Sequence, residues 1–357
     1  MPPAANLRSV AKIAGVSHVT VSRVLKNERW VKECTRERVL EAVRLAGYRP
    51  NPLVSAAMAQ RRSPDRLACS TVIAYLNCYN DQELWRSSPS QSRFLNGART
   101  RAEELGFSVE EFHLFDRGMN PRRIQRMLES RGIAGLIVGS FRSAHAHLSL
   151  DWDRFAAVAQ AFTLTRPALH RAANHYFKSM EAALRALRRL GYRRIGLAIS
   201  SEVDTRCQHA YSAAMAVYQR NIADADAIPV LNSGLKDAAI LRRWHGRWRP
   251  QVIVTPHLCA IDTLAAIGLS VPGDIALAHT DWHPNYVQWA GVDHCVETAG
   301  RAATDLLVTQ LFTNQRGLPA AAISMLTEGV WVDGPSAPRI DVPAPLPRLP
   351  RSVMVSD

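Results

Sequence analysis

Hydroxyl, imidazole and guanidinium side chains cluster close to the N-terminus, between positions 17 and 23. In the same stretch Val21, Val24 and Leu25 have the spacing of the buried stripe of a short helix over 18–25. The polar groups are then left for another face of that helix. Groups of this kind bond phosphates and base edges in the DNA major groove, so the pattern predicts nucleic-acid recognition. The polar side chains are Ser17, His18, Thr20, Ser22 and Arg23.

His18 and Val19 are the pair that we expect to read bases. An imidazole can bond a base edge or a phosphate, and a valine methyl can pack on the methyl group of thymine. Arg23 suits a phosphate or the edge of a guanine, whereas Thr20 and Ser22 suit phosphates. For His18 the alternative is an exposed helix residue that contacts no base.

Two short helices joined by a glycine turn must position these side chains. Apolar residues at 7, 10, 11, 13 and 14 have the spacing of one helix face, which predicts a first helix over 7–14. Gly15 permits the left-handed backbone of a tight turn, and Ser17 is a good N-cap for the second helix. A third helix is expected over 35–46, with Thr35 as its N-cap. The arrangement is that of a helix-turn-helix, whose second helix enters the major groove.

Basic charge is concentrated in the same region. The chain has 357 residues with Lys+Arg 44 against Asp+Glu 31, which gives a net charge of +13. Residues 1–66 hold 13 basic and 5 acidic side chains, a net of +8, whereas the other 291 hold 31 and 26, a net of +5. Localised positive charge is typical of proteins that bind the phosphate backbone, although a solvated basic surface is the alternative.

Several classes of protein are not expected from this sequence. No apolar run reaches the ~18 residues of a membrane span, and the N-terminus has no apolar signal-peptide core. The 6 cysteines are scattered without a C-x-x-C pair, which argues against a disulfide framework or a zinc site. The motifs G-x-S-x-G, H-E-x-x-H, the P-loop and G-x-G-x-x-G do not occur. We therefore expect a cytoplasmic protein that is not an enzyme, with no catalytic residues, metal site, cofactor or membrane partner.

After residue 66 the pattern changes to short β-branched runs that alternate with amphipathic helices. Such alternation is typical of parallel sheets with crossover helices, which bind ligands outside the carboxyl ends of their strands. The predicted strands are 70–76, 109–112, 135–138, 156–161, 194–198, 251–254 and 275–278. The predicted helices are 93–105, 121–131, 178–190, 206–220, 236–248, 259–267 and 298–311.

The order of residues resembles the lactose-repressor (LacI/GalR) family of bacterial transcription regulators. Near the N-terminus the matching stretches read VAKIAGVS (10–17), TVSRVL (20–25), TRERV (35–39) and GYRPNP (47–52). Further along they read IAGLIV (133–138), LGYRRIGL (190–197) and VPGDIA (271–276).

The resemblance implies the fold and the domain organisation. The fold would be an all-α helix-turn-helix head followed by an α/β periplasmic-binding-protein-like core of two Rossmann-like lobes. The head with its hinge helix would span 1–62, the effector-binding and dimerisation core 70–335, and a Pro-rich tail, expected to be disordered, 336–357. Lobe one is expected over 70–162 and 295–322, and lobe two over 163–294 with a last strand near 323–332.

The resemblance also assigns residues to DNA. It places the start of the second helix in the major groove, a role that carries over to Ser17, His18, Val19, Ser22 and Arg23.

A hinge helix follows the head in this family and inserts a leucine into the minor groove, which kinks the duplex. Counting from Asn51, the leucine position falls on Ala57, and Met58 follows it. Alanine is too short to wedge well, so either Met58 inserts or the protein bends its operator less. An apolar contact of Leu53 and Met58 between paired hinges is an alternative of at least equal weight.

Four residues of the core match effector positions of the family. Arg206 corresponds to an arginine at the start of a helix, where a guanidinium can hold two ligand oxygens. Asp281 can accept from sugar hydroxyls, Trp282 can stack on a sugar face, and Tyr79 is a further wall residue. An ordinary loop polar residue or a buried aromatic is the alternative for each. The family usually has an aspartate near Asn174, and its absence here disfavours a simple hexose.

The sequence thus predicts a transcription regulator, with repression the commoner family outcome. Its partners would be double-stranded operator DNA, a small-molecule effector such as a sugar or sugar derivative, and a second copy in a homodimer. One recognition helix reads too few bases for genomic specificity, which is the reason to expect the dimer. The alternative is a sugar-binding receptor without DNA function, which the helix-turn-helix and the missing signal peptide disfavour.

Overall fold

The computed structural model describes residues 7–25, 32–46, 71–235, 237–257 and 259–340. These residues fall into two compact units, one within 1–68 and the other within 69–357. Each unit has hydrophobic cores of its own, so each is described by itself.

The first unit contains the helices α1 (Leu7–Ala14), α2 (His18–Leu25) and α3 (Glu33–Ala46). The first two have the bounds that the apolar spacing predicts. Gly15 between them has a φ of +63°, and the Ser17 hydroxyl accepts from the Thr20 N–H at 3.1 Å, as an N-cap should. Small and β-branched side chains form the core: Val10, Ala11, Ala14, Val21, Val24, Val39 and Ala42.

Two details of this unit differ from the prediction. Ile13 is 52% exposed, so it does not belong to the buried face assigned to it. Helix α3 begins at Glu33, which makes Thr35 an internal residue and not the N-cap. The reason is that the Lys32 carbonyl already accepts from the N–H groups of Thr35 and Arg36, at 3.0 Å each.

The second unit alternates strands with helices, as predicted. In chain order its strands are β1 (Val72–Asn77), β2 (Ser108–His113), β3 (Gly135–Val138), β4 (Ala146–His147), β5 (Ala156–Gln160), β6 (Leu164–Arg166), β7 (His170–Asn174), β8 (Ile195–Leu197), β9 (Val252–Thr255), β10 (Ala276–His279), β11 (Ala290–Asp293), β12 (Ser324–Thr327) and β13 (Val330–Val332). Its helices are α4 (Gln82–Arg86), α5 (Pro89–Glu104), α6 (Pro121–Ser130), α7 (Tyr176–Arg189), α8 (Ser201–Arg206), α9 (Ala210–Gln219), α10 (Ala238–Trp248), α11 (Ala260–Ala266) and α12 (Val296–Thr313).

Two large sheets organise this unit into two lobes. The first lobe has a six-stranded sheet in the order β12-β7-β5-β3-β1-β2, in which every pair is parallel. The second lobe has a five-stranded sheet in the order β13-β11-β10-β9-β8, parallel except for β13. Strands β4 and β6 form a separate short pair.

Helices cover both faces of each sheet, which explains the long apolar runs in the strands. In the first lobe α5 and α12 pack on one face and α6 on the other. In the second lobe α7 and α9 pack on one face, and α10 and α11 on the other.

Helices α5 and α12 approach each other at two glycines. A Cβ added to Gly97 would lie 2.1 Å from the Glu297 carbonyl oxygen, and one added to Gly300 would lie 2.1 Å from that of Phe94. Only residues without a side chain allow the two backbones to come this close.

Within the described part of the second unit the chain crosses between the lobes three times. The second crossing, between β11 and α12, lies where expected, and the other two do not. β7 belongs to the first sheet, so the first crossing follows Asn174 and not residue 162. The predicted last strand near 323–332 is two strands, and β12 lies in the first sheet while only β13 lies in the second. Edge strands of this kind are placed by long-range pairing, which local periodicity does not encode.

Two further predictions about the second lobe are wrong. The predicted helix 206–220 is two helices, because Gln208 and His209 have φ of +56° and break it. The predicted disordered tail starts too early: Ser336 is buried, and the Tyr192 hydroxyl donates to the Pro338 carbonyl at 2.6 Å. Residues 341–357 lie outside the described part of the chain.

Candidate functional site

The exposed face of α2 carries the side chains predicted to read DNA. Ser17, His18 and Arg23 are exposed, and Val19 is 44% exposed although it is apolar. Thr20 is half-buried, and its hydroxyl lies 3.0 Å from that of Ser17. The Ser22 side chain and the hinge residues Asn51, Ala57 and Met58 lie outside the described residues.

This face has the chemistry of a groove-binding surface. Val21 and Val24 anchor the helix in the core of the head, so the exposed face is held rigidly. The N-terminus of α2 presents backbone N–H groups beside the His18 imidazole, and such helix ends favour phosphate.

A cavity of about 180 Å³ lies between the two lobes of the second unit. The carboxyl ends of strands from both sheets open onto it, as the rule for parallel sheets predicts. From the first lobe these ends contribute Tyr79, Ser140, Gln160 and Asn174, and from the second lobe Pro256, Thr280 and Asp281. The volume is below the ~300 Å³ typical of pockets for drug-sized ligands, so it suits a small molecule.

Arg206 is the cationic residue of this cavity. The resemblance implies a position at the start of a helix, but Arg206 is the last residue of α8. Its Nη2 donates to the Tyr79 hydroxyl of the opposite lobe at 3.4 Å, and its Nε is buried without a partner among the described residues. Burial disfavours the charge, but Tyr79 and the phenol of Tyr176 outweigh it and raise the pKa of Arg206. Arg206 therefore stays charged and has a free donor for a ligand.

Asp281 joins the lobes from the other side of the cavity. It follows β10 in the second lobe, and its Oδ2 accepts from the Ser90 hydroxyl of α5 in the first lobe at 2.5 Å. The carboxylate thus lies both on the cavity wall and at a contact that closes the cleft.

A network of amides forms the first-lobe wall of the cavity. The Gln160 oxygen accepts from the Tyr75 hydroxyl at 2.9 Å, and the Gln160 nitrogen donates to the Gln91 oxygen at 3.1 Å. The Ser140 hydroxyl donates to the same Gln91 oxygen at 3.0 Å. Because these groups bond one another, their orientation is fixed before any ligand enters.

Aromatic side chains surround a buried imidazole on the second-lobe side. His294 Nδ1 lies 3.1 Å from the Ser179 hydroxyl, and Nε2 lies 2.9 Å from the Tyr211 hydroxyl. Tyr176 packs edge-on against the His294 ring, with the centroids 5.5 Å apart. Burial lowers the pKa of His294, so the ring is neutral near pH 7. Beside it, burial raises the pKa of the Cys207 thiol to about 12.

An ion pair secures one of the crossings beside the cavity. Arg93 on α5 donates to both carboxylate oxygens of Asp293, at 3.0 and 3.1 Å, and to Glu297 at 2.5 Å. Asp293 ends β11 in the second lobe and Glu297 begins α12 in the first lobe. The three side chains therefore tie the crossing segment to the first lobe.

The first unit also matches a known family by sequence. Residues 6–51 match the profile described as bacterial regulatory proteins, lacI family. A sucrose operon repressor of Escherichia coli is 45% identical over 64 residues, which is 18% of this chain and 19% of the relative. The HTH-type transcriptional regulator PtxS of Pseudomonas putida is 26% identical over 290 residues, which is 78% of this chain and 80% of the relative.

Residues 6–51 of this chain are therefore similar to the lacI family. The match to the sucrose operon repressors spans only about a fifth of their length.

Two solved structures have the same overall fold. One is the transcriptional regulator CelR–cellobiose complex, with a TM-score of 0.55 and 20% identity over 93% of this chain and 99% of the other. The other is the lac repressor dimer bound to operator and the anti-inducer ONPF, with a TM-score of 0.53 and 18% identity over 93% and 99%. The fold class predicted from the sequence is therefore confirmed.

The structure brings three of the four predicted effector residues to one cavity. These are Tyr79, Arg206 and Asp281. Trp282 is not among the cavity residues: its Nε1 donates to the Trp289 carbonyl at 3.0 Å, and its ring packs in the core of the second lobe. The prediction that Trp282 stacks on a ligand is wrong, because the side chain following Asp281 points to the other side of the loop.

Sequence reasoning missed most of the cavity wall. The missed residues come from segments far apart in the chain, and include Gln91, Gln160, Asn174, Tyr176, Tyr211 and His294. One signal was available, since Gln160 is a polar residue at the end of a strand that is otherwise wholly apolar.

Two negative observations concern the described residues. None of the helices in the described ranges is long and apolar enough to cross a membrane. In the same ranges, no group of three His, Cys, Asp or Glu side chains is placed to hold a metal ion.

Proposed function

We propose that this chain is a transcription regulator that binds double-stranded operator DNA through its head and a small effector through its core. The observation that carries the proposal is the exposed start of α2, with His18 and Val19 held outward by a buried valine stripe on a head of the lacI family. We place this activity in the cytoplasm and, because one head reads too few bases, in a homodimer.

The effector that the cavity suits best is a sugar or a sugar derivative. The lining supplies directed polar groups from amides, hydroxyls and one carboxylate, together with aromatic surface from Tyr79 and Tyr176. Arg206 adds a charged donor without a carboxylate partner among the described residues. A derivative with a carboxylate, or with paired oxygens, would satisfy this guanidinium best. The cellobiose in one structure of the same fold and the sucrose repressors among the relatives are consistent with this class.

Effector binding would act through the closure of the lobes. Two contacts cross the cleft at the cavity, Ser90 to Asp281 and Arg206 to Tyr79. A ligand that replaces or strengthens either contact changes the relative free energy of open and closed forms. Allosteric coupling of this kind is worth about 1–3 kcal/mol and would change the affinity for DNA accordingly. Repression is the outcome we propose.

The competing function is a sugar-binding receptor without DNA activity. The exposed recognition face of α2 counts against it, because a valine and an imidazole have no reason to be presented together on a receptor. One experiment separates the two. Purified protein is titrated against genomic fragments that flank its own gene, in band-shift assays at several salt concentrations.

A regulator retains a preference for one fragment when salt removes the sequence-independent binding. Equal binding to all fragments, or no binding to any of them, would contradict the proposal. A thermal-shift screen of sugars and sugar acids on the same protein then identifies the effector.

A further inference from the structure

The second lobe carries a concentration of basic residues, of which, among the described residues, the cavity uses only Arg206. Between residues 185 and 249 the sequence has 12 basic and 5 acidic side chains, a net of +7. The rest of the chain after residue 66 then has 19 basic and 21 acidic side chains, a net of −2. The net positive charge of the chain after residue 66 thus comes entirely from the segment 185–249.

The fold gathers this charge at one edge of the second lobe, where helices end and the strands β8 and β9 begin. Arg194 marks the edge, because its guanidinium donates to the carbonyls of Ala225, Trp248 and Arg249, from two separate segments. The last described residue lies at the same edge, because the Ile340 N–H donates to the Leu190 carbonyl at 2.9 Å. We call the remaining arginines of this edge the arginine pole: Arg188, Arg189, Arg193, Arg220, Arg247, Arg249 and Arg339.

These arginines are not neutralised by neighbours. In the first lobe several arginines pair with carboxylates, as Arg131 does with Glu110 at 2.6 Å, and other described arginines do not. No arginine of the pole has a carboxylate of a described residue within 4.0 Å, and five of the seven are exposed.

Acidic side chains near the pole are few. Asp224 and Asp226 lie in the loop that Arg194 contacts, and Asp274 accepts from Ser270. The residues after Ile340 add 2 basic and 2 acidic side chains, so they cannot neutralise the pole either. Uncompensated charge of one sign on an exposed surface is the electrostatic footprint of a polyanionic partner.

The pole has charge but lacks the apolar anchors of a protein interface. Protein interfaces depend on buried aromatic and aliphatic side chains at their centre. The larger apolar groups here are few: Trp248 is half-buried beneath the Arg247 guanidinium at 5.0 Å, Tyr218 is half-buried beside Arg188, and Val217 is exposed. Guanidinium groups match phosphate with two parallel hydrogen bonds, and a row of phosphates needs no apolar centre.

We propose that the arginine pole is a second DNA-contacting surface, which binds the phosphate backbone of duplex DNA without regard to sequence. The proposal rests on the proposed function only in naming DNA as the polyanion. It adds a sequence-independent contact with DNA that is distinct from the head.

The test compares two triple variants of the full chain. Arg189, Arg220 and Arg247 are exposed and donate no described hydrogen bond, so R189Q/R220Q/R247Q should fold as the parent does. The matched control is R117Q/R122Q/R142Q, which removes the same charge from exposed positions of the first lobe. Thermal denaturation of both variants checks the fold.

The measurement is the affinity for a 30-base-pair duplex of random sequence between 50 and 200 mM salt, by fluorescence anisotropy. Each phosphate contact contributes about 0.9 to the slope of log K against log salt, so the pole variant should lose about 2–3 from this slope and about tenfold in affinity at low salt. The control should match the parent.

Equal slopes for the pole variant and the control would overturn the proposal. So would a pole variant that binds polyglutamate more weakly but duplex DNA normally, since the partner would then be an acidic protein. The outcome is independent of the proposed function. If the parent protein prefers no genomic fragment, the proposed regulatory function is wrong. The random duplex still tests whether the arginine pole binds DNA.

Discussion

The Ser90 hydroxyl of the first lobe donates to Oδ2 of Asp281 in the second lobe, at 2.5 Å. This bond spans the cleft in which the candidate effector cavity lies, and Asp281 also lines the cavity. A ligand that bonds the Asp281 carboxylate must therefore either join this contact or replace it.

Asp281→Asn is expected to shift the ligand-free protein towards an open cleft. A hydrogen bond to a charged group contributes about 1.5–3 kcal/mol, and the amide keeps the size of the side chain while losing its charge. Small-angle X-ray scattering should show a larger radius of gyration. Ser90→Ala removes the same bond but leaves the carboxylate in the cavity, so it should open the cleft too. Scattering curves identical to the parent for both variants would show that the bond does not hold the lobes.

Arg206→Gln is expected to remove the effector response without weakening the fold. The guanidinium is largely buried and has one 3.4 Å hydrogen bond, so the unliganded protein loses little. The ligand loses a charged donor worth about 1.5–3 kcal/mol, or roughly 10- to 150-fold in affinity. The thermal shift caused by an effector should disappear while the melting temperature without effector stays within a few degrees. An unchanged thermal shift would remove Arg206 from the site.

His18→Ala is expected to reduce the preference for the cognate operator. A good base contact is worth about 1–3 kcal/mol of discrimination, and His18 is exposed at the start of α2. Lys12→Ala on α1 is the control, because an exposed lysine away from α2 should affect all sequences alike. Competition band shifts with cognate and random duplexes measure both. A uniform loss in the His18 variant would reassign that side chain to the phosphates.

Acidification is expected to destabilise the second unit through His294. Burial lowers the folded-state pKa of His294 below its ordinary value of 6.5. Between these two pKa values the unfolded chain binds a proton that the folded chain does not. Stability is therefore complete above about pH 6.5 and is lost as the pH falls towards the folded-state pKa.

Melting temperatures between pH 8 and pH 5 should fall less steeply for His294→Gln than for the parent. Burial also lowers the pKa of His279, so some dependence remains in the variant. His147→Gln is the control, because His147 is exposed and its replacement should leave the slope as it is. A parent-like slope in the His294 variant contradicts the assignment.

Gly300→Ala is expected to destabilise the first lobe. The added methyl would lie 2.1 Å from the Phe94 carbonyl oxygen, so α5 and α12 would have to separate. Overpacking of this kind costs about 1–3 kcal/mol. Gly246→Ala on α10 has no heavy atom within 4 Å of its new methyl and should be neutral or stabilising by about 0.5–1 kcal/mol. Chemical denaturation of both variants tests the contrast, and equal stabilities would contradict the close approach.

Local features of the fold could be predicted from the sequence because neighbouring residues encode them. Helices α1 and α2 have the predicted bounds, and the Ser17 cap forms as expected. Strand β3, predicted over 135–138, occupies Gly135–Val138 because its continuous apolar run marks a strand buried on both faces. One wrong prediction is also local. Gln208 and His209 adopt left-handed backbone and break a predicted helix, but neither is a glycine, so the sequence gives no sign of the break.

Residue types indicated which side chains near the cavity could bind a ligand, and Tyr79, Arg206 and Asp281, which family spacing singled out, line the same cavity. Family spacing did not show which of two neighbouring residues lines the cavity. Asp281 lines the cavity, whereas Trp282, the next residue in the chain, packs against the core of the second lobe. A one-residue step in register therefore exchanges a wall residue for a core residue.

The sequence by itself determined the head, the alternation of strands and helices, and the chemistry of the candidate ligand groups, because each depends on residues close together in the chain. Only the tertiary structure decided which of these groups meet. Gln91 and Gln160 lie 69 positions apart and share a hydrogen bond. Arginines from 188 to 339 lie at one edge, where no carboxylate of a described residue pairs with them. Periodicity states which face of a segment is buried, but contacts between distant segments are set by how whole layers pack.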